Sequence, residues 1–113
     1  MKYAIAADNG LMAGHFGHAP QFIVVDIENG SCTSRKEHAA PPHAPGRIPA
    51  FVKELGAECV VVGGIGQKAR DLFSAQGIEQ ICGVQGSIDE IIAKLESGTL
   101  EEGGDLCDHQ HAH

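Results

Sequence analysis

Apolar positions along this chain switch between two rhythms. Residues 2–7 (Lys-Tyr-Ala-Ile-Ala-Ala) form an almost unbroken apolar run, the mark of a strand covered on both faces. The stretch from Asp8 to about Pro20 is rich in glycine and histidine and reads as a long loop. Phe22-Ile23-Val24-Val25-Asp26-Ile27 predicts a second strand, and Asn29-Gly30 a tight hairpin, because a type I′ turn needs two residues that tolerate positive φ. The third strand, Ser31 to about Glu37, carries polar side chains throughout and suits an exposed edge, where charges block unwanted pairing.

The rhythm then lengthens. Residues 38–47 are a proline-rich connector, and Ile48, Phe51, Val52 and Leu55 follow as an i, i+3, i+4, i+7 stripe that predicts a first helix, stopped by Gly56. Cys59-Val60-Val61-Val62 is a short buried strand. Ala69, Leu72 and Phe73 mark a second helix ending at Gly77, and residues 78–84 a fifth strand. Ser87 and Glu90 form a capping box before the stripe Ile88, Ile91, Ile92 and Leu95, with Gly98 as the stop. Nothing after Gly98 has a period. The chain therefore divides into an α/β domain over 1–98 and a flexible Cys/His-rich tail over 99–113.

The order β-β-β-α-β-α-β-α implies a mixed five-stranded sheet with helices on both faces. If the second strand runs antiparallel to the first, right-handed crossovers favour the spatial order 3-2-1-4-5. Ligands of open α/β sheets bind at the carboxyl edge, near the switch between the first and fourth strands. That rule gathers the loop 8–20, the loop 38–47 and Gly63-Gly64-Ile65-Gly66 around one crevice. His15, His18, His38 and His43 lie in or beside it.

Charge and composition narrow the partners. A formal charge of −7 argues against nucleic acid, which needs a cationic face. No apolar run approaches the ~20 residues that span a bilayer, so no membrane partner is expected. Met1-Lys2-Tyr3 opens no signal peptide, and the expected location is cytoplasmic. Cys32, Cys59 and Cys82 lie in strand-like runs and read as reduced, buried thiols, so disulfides are not expected. Only Cys107 sits in polar surroundings where a thiolate could take a metal.

Two segments resemble a known family. His15-Phe16-Gly17-His18-Ala19-Pro20-Gln21-Phe22 is similar to the HFGxAxxF signature of the dinitrogenase iron–molybdenum cofactor biosynthesis family. Val60-Val61-Val62-Gly63-Gly64-Ile65-Gly66-Gln67-Lys68-Ala69 resembles the family's GGxGxxA turn. The resemblance covers about residues 1–98 and implies a three-layer, ribonuclease H-like α/β/α fold. It also implies a role in binding or carrying iron–molybdenum cofactor precursors; the orange protein of this type holds a molybdenum–copper sulfide cluster. Pro41-Pro42-His43-Ala44-Pro45-Gly46 and Cys107-Asp108-His109 resemble stretches of a histidine-rich small subgroup, with His43 at its soft-ligand position.

Each candidate has a plainer reading beside it. On spacing alone, His18 bonds the loop backbone and His15 is solvated; the resemblance turns His18 towards cofactor binding, with His15 beside it and His43 across the crevice. His38 is expected to be exposed at a strand end. Gly63, Gly64 and Gly66 precede a helix whose free N–H groups could hold an anion, or they simply make a tight turn. Asp8 ends the first strand where related nucleases place a metal carboxylate, but partner carboxylates are missing. Cys107, His109, His111 and His113 alternate along an extended tail, giving either a soft site for zinc, copper or nickel or a solubilising terminus.

The leading expectation is a non-enzymatic carrier or scaffold for a metal–sulfur cluster, iron–sulfur or molybdenum-containing, exchanged with cofactor-assembly or recipient proteins. The alternative is a mononuclear metal chaperone or sensor that binds through its tail. A small phosphotransferase or hydrolase ranks third, because no nucleophile–base pair is visible.

Overall fold

Ala4, Ile5, Ala6 and Ala7 are all fully buried, which makes the first strand the middle of the sheet rather than an edge. The computed structural model describes residues 1–14, 19–41 and 47–100. Its elements run β1 (Lys2–Asp8), β2 (Leu11–Met12), β3 (Gln21–Glu28), β4 (Ser31–Ala39), α1 (Arg47–Glu54), β5 (Cys59–Val61), α2 (Gln67–Ala75), β6 (Glu79–Ile81) and α3 (Ile88–Ser97). The sheet order is β4-β3-β1-β5-β6, with β2 paired to β1 off this path. β1, β5 and β6 are parallel, and β3 is antiparallel to both β1 and β4.

Side chains alternate across the pleat, so each strand serves two cores. Ala4, Ala6, Phe22, Val24, Val60 and Val62 face one way and pack with Ile48 and Val52 of α1 and Phe73 of α2. Ile5, Ala7, Ile23, Val25 and Val61 face the other way, against Ile88, Ile91, Ile92 and Leu95 of α3. The continuous apolar runs expected of doubly covered strands are therefore the runs that lie between helices.

The sheet has six strands where five were expected. The extra one comes from the supposed loop after Asp8. Asn9 and Gly10 take φ of 55° and 85° and turn the chain back on itself, so that Met12 pairs with Ala7 and Leu11 with Asp8. The same pair of left-handed residues recurs at Asn29 and Gly30, with φ of 54° and 78°, and closes the expected β3–β4 hairpin.

β4 runs on to Ala39, past the expected end. His38 consequently pairs with Phe22 inside the strand, is half-buried, and meets the Phe51 ring edge-on at 6.5 Å. It lies near the strand end as expected but is half-buried, not exposed. Cys59 is buried as expected, whereas Cys32, a free thiol, is only half-buried on the edge strand. Cys82 is buried but disulfide-bonded, so the expectation of reduced thiols throughout fails at this position; Arg70 Nη1 lies 3.0 Å from its Sγ. Among the described residues, no helix is long and apolar enough to cross a membrane.

The capping box at α3 is complete. Ser87 Oγ accepts from the Glu90 N–H at 3.2 Å, and Glu90 Oε1 accepts from the Ser87 N–H at 3.2 Å. Gly98 closes the other end with φ of 73°. The Ser87 backbone bond, and then the Ser87 hydroxyl, hold the Glu90 carboxyl below its ordinary value. Ser87→Ala is expected to cost about 0.5–2 kcal/mol, read by urea unfolding near neutral pH. A carboxyl lowered in the fold contributes stability above its ordinary value of 4.5 and loses it as pH falls through the lowered one. Glu90's share of the difference should therefore fade in acid. A gap that widens in acid would contradict this.

Candidate functional site

The ends of β1, β4, β5 and β6 share one edge of the sheet, because these four strands run the same way. The chain leaving β1 is stitched across that edge by backbone alone. The Met12 N–H donates to Gly86 O at 2.9 Å, the Ile88 N–H to Gly10 O at 3.0 Å, and the Ala13 N–H to Ala6 O at 3.0 Å. Gly14 O then accepts from the Gly64 N–H at 2.8 Å. On its far side the glycine turn is held to the loop after β6, where the Gly83 N–H donates to Gly63 O at 2.9 Å.

Gly63 is required by this crossing. A Cβ there would lie 2.6 Å from Ala13 O and 3.1 Å from Gly14 O, closer than any side chain could be accommodated without moving backbone. Gly63 and Gly64 thus latch one loop to the next. The expectation that the Gly64 amide would hold an anion fails for a simple reason: its proton is already donated to Gly14. Gly66 differs. It sits at the N-cap of α2 in extended conformation, with no side-chain cap and no atom within 4 Å of a built Cβ. The first-turn N–H groups of Gln67, Lys68 and Ala69 have no partner among the described residues, and the helix dipole adds positive potential there.

The segments that carry His15, His18 and His43 lie outside the described residues, as does the tail with Cys107, His109, His111 and His113. Their described flanks meet at the edge. Gly14, the residue before His15, is bonded to Gly64. At the other end of that segment Ala19 is buried, and Pro20 O accepts from the Ala40 N–H at 2.9 Å. Ala40 in turn leads through Pro41 into the segment of His43. His38 stays with Phe51 on the sheet.

A cleft of about 370 Å³ opens beside the latch, lined by Leu11, Met12, Ala13, Gly14, Gly63, Val84, Gln85 and Gly86. Its walls are apolar side chains and backbone, with the Met12 thioether as a soft donor. Among the described residues no three His, Cys, Asp or Glu side chains come together to hold a metal ion. Asp8 is exposed and belongs to no such group. Tyr3 is also shifted, pushed up by partial burial and by Cys59, Glu79 and Glu58. It sits at the opposite end of β1.

Sequence reasoning missed β2 and the wall from Val84 to Gly86. The Asn9-Gly10 pair was a readable signal for the first; the second depends on β6 stopping at Ile81, which no local residue announces.

The glycine latch and its flanking segments carry both motifs singled out in the sequence, and the family model described as dinitrogenase iron-molybdenum cofactor matches residues 1–98. The chain belongs to this family. Over 107 residues it is 34% identical to the uncharacterized protein MJ0580 of Methanocaldococcus jannaschii, covering 90% of this chain and 91% of that one. The crystal structure of PH0822 superposes with a TM-score of 0.88 at 32% identity, over 94% of this chain and 97% of that one. The apo form of the orange protein from Desulfovibrio gigas shares the fold, with a TM-score of 0.76 at 21% identity over 91% and 92% of the two chains. In this member of the iron–molybdenum cofactor family the match ends at Gly98, the residue that caps α3.

Proposed function

We propose that this is a three-layer, ribonuclease H-like scaffold that carries a metal–sulfur cluster, iron–sulfur or molybdenum-containing, at the carboxyl edge of its sheet, without enzymatic turnover. The observation that carries the reading is the pair of bonds Gly64 N–H to Gly14 O (2.8 Å) and Ala40 N–H to Pro20 O (2.9 Å). They tie the described flanks of both histidine-bearing segments to the carboxyl edge, the first of them to the glycine turn before α2. Neutral imidazoles from His18 and His43, with His15 adjacent, would ligate exposed metal atoms, and the Gly66 end of α2 would face the anionic periphery. The protein would work in the cytoplasm and hand its cluster to cofactor-assembly or recipient proteins.

Anaerobic reconstitution followed by ultraviolet–visible spectroscopy tests this. Sulfide-to-metal charge-transfer bands with metal and sulfide in fixed ratio are expected. A colourless protein holding one zinc, lost with the tail, would replace this reading with the mononuclear chaperone, which the alternating donors Cys107, His109, His111 and His113 favour.

Two further outcomes are expected. Deleting residues 105–113 should leave cooperative unfolding in metal-free buffer unchanged, because the patterned core closes at Gly98. Loss of cooperativity would put the domain boundary in the wrong place. Incubation with single- or double-stranded nucleic acid or nucleoside triphosphates and magnesium or manganese should give no turnover, since Asp8 belongs to no metal-holding group of three or more His, Cys, Asp or Glu among the described residues. Robust turnover abolished by Asp8→Asn would overturn the carrier reading.

A further inference from the structure

A second cavity lies away from the carboxyl-edge cleft and shares no residue with it. It has a volume of about 270 Å³ and runs between α1 and the outer half of the sheet. Lys2, Ser34, Lys36 and His38 line it together with Asp26 and Glu54, over a floor of Val24 and Leu55.

The strand register explains why these side chains meet. Ser34 pairs with Asp26, Lys36 with Val24, and His38 with Phe22, and the last two partners face the α1 core. Successive residues i, i+2 and i+4 of β4 therefore present hydroxyl, ammonium and imidazole to the same side. On that side α1 covers β3 and meets β4 through Phe51 against His38, leaving Ser34 and Lys36 exposed. Lys2 reaches in from β1 alongside Gly56, where a built Cβ would lie 3.9 Å from Lys2 Nζ.

The two carboxylates of the lining are engaged by cations outside it. Asp26 is paired with the Met1 ammonium at 3.5 Å and Glu54 with Arg47 at 3.7 Å. Lys2 and Lys36 make no side-chain hydrogen bond or ion pair among the described residues. With both carboxylates engaged by other cations, the ammonium groups of Lys2 and Lys36 stand in one recess without an ion-pair partner among the described residues, on a chain of net charge −7. Field lines concentrate in such a recess, where low-dielectric walls reduce screening.

We propose that this recess binds a small doubly anionic metabolite, through a phosphate or dicarboxylate group held by Lys2, Lys36, Ser34 and His38. Its size, just under the ~300–1,000 Å³ of ordinary small-molecule sites, limits the ligand to a compact molecule. The apolar floor accommodates a short carbon skeleton between or beside the charged ends. The site is separate from the cluster site in residues and in chemistry, so it stands or falls independently of that reading.

The test is a ¹H–¹⁵N NMR titration of the full metal-free chain with inorganic phosphate and, separately, with succinate, each against sodium chloride at matched ionic strength. Saturable shifts are expected at the amides of Lys2, Ser34, Lys36 and His38 with at least one of the two. The responding anion distinguishes a phosphate ester from a dicarboxylate. Lys2→Gln/Lys36→Gln should weaken that binding at least tenfold while the spectrum keeps its dispersion, and Lys36→Gln alone should weaken it partway. Shifts no larger than those from chloride, saturable binding that survives in the double variant, or shifts confined to Gly64–Ala69 would each overturn the proposal.

Discussion

Gly63→Ala is expected to destabilise the protein by about 1–3 kcal/mol, the range for forcing extra volume into a packed site. Gly63→Val should exceed it. The added Cβ meets a carbonyl oxygen of the backbone, Ala13 O at 2.6 Å, and not the pliable end of a side chain. Relief requires the 13–14 segment to move away, which lengthens the bond from the Gly64 N–H to Gly14 O. For a domain of this size the midpoint of thermal unfolding should fall on the order of 5–15 °C. Gly66→Ala is the matched control, because its φ of −84° suits alanine and its Cβ would meet nothing within 4 Å. A Gly63→Ala protein as stable as the parent would mean that the latch has slack, and that Gly63 has some other duty.

The second large effect concerns cluster retention. His18→Ala and His43→Ala, each made in protein lacking residues 105–113, should lower metal and sulfide per chain after anaerobic reconstitution and desalting. The double variant should retain almost none. Losing even an outer partner of a metal ligand costs about 10–100-fold in affinity, and losing a ligand should cost no less. Because imidazole ligates only when deprotonated, occupancy of the parent should drop as pH falls below about 6.5. Thermal unfolding of the metal-free variants should match the parent, which separates lost ligation from lost fold. Full occupancy in the double variant would show that the histidines are bystanders.

Where the sequence was legible, a local rule and the long-range packing agreed. The alternation of Phe22, Ile23, Val24 and Val25 between two helical layers, the Asn29-Gly30 hairpin and the Ser87–Glu90 cap are each specified within a few residues, and each appears in the fold. The stretch after Asp8 reads as a loop by its histidines and glycines, yet Asn9-Gly10 is the same hairpin signal as Asn29-Gly30 and turns the chain back onto β1. His38 is more buried than expected for a different reason. Its burial comes from Phe51, thirteen positions further along and beyond a proline-rich connector, and no local pattern encodes that contact. Within the site, the crowding of Ala13 O against Gly63 was likewise invisible. A glycine needed for close approach and one needed for a turn look the same in a sequence.

The crossing from β1 to the glycine turn is fastened through N–H and C=O groups, so most of its anchorage is indifferent to which side chains the neighbouring positions carry. This separates two evolutionary burdens. If residues 15–18 supply ligands as proposed, drift there can exchange one donor atom for another while Gly14 and Gly64 keep their bond. For engineering, the same independence marks out the region best suited to a library: vary positions 15–18 and 42–46 together, hold Gly63 and Gly64 fixed, and select on the colour of the loaded protein.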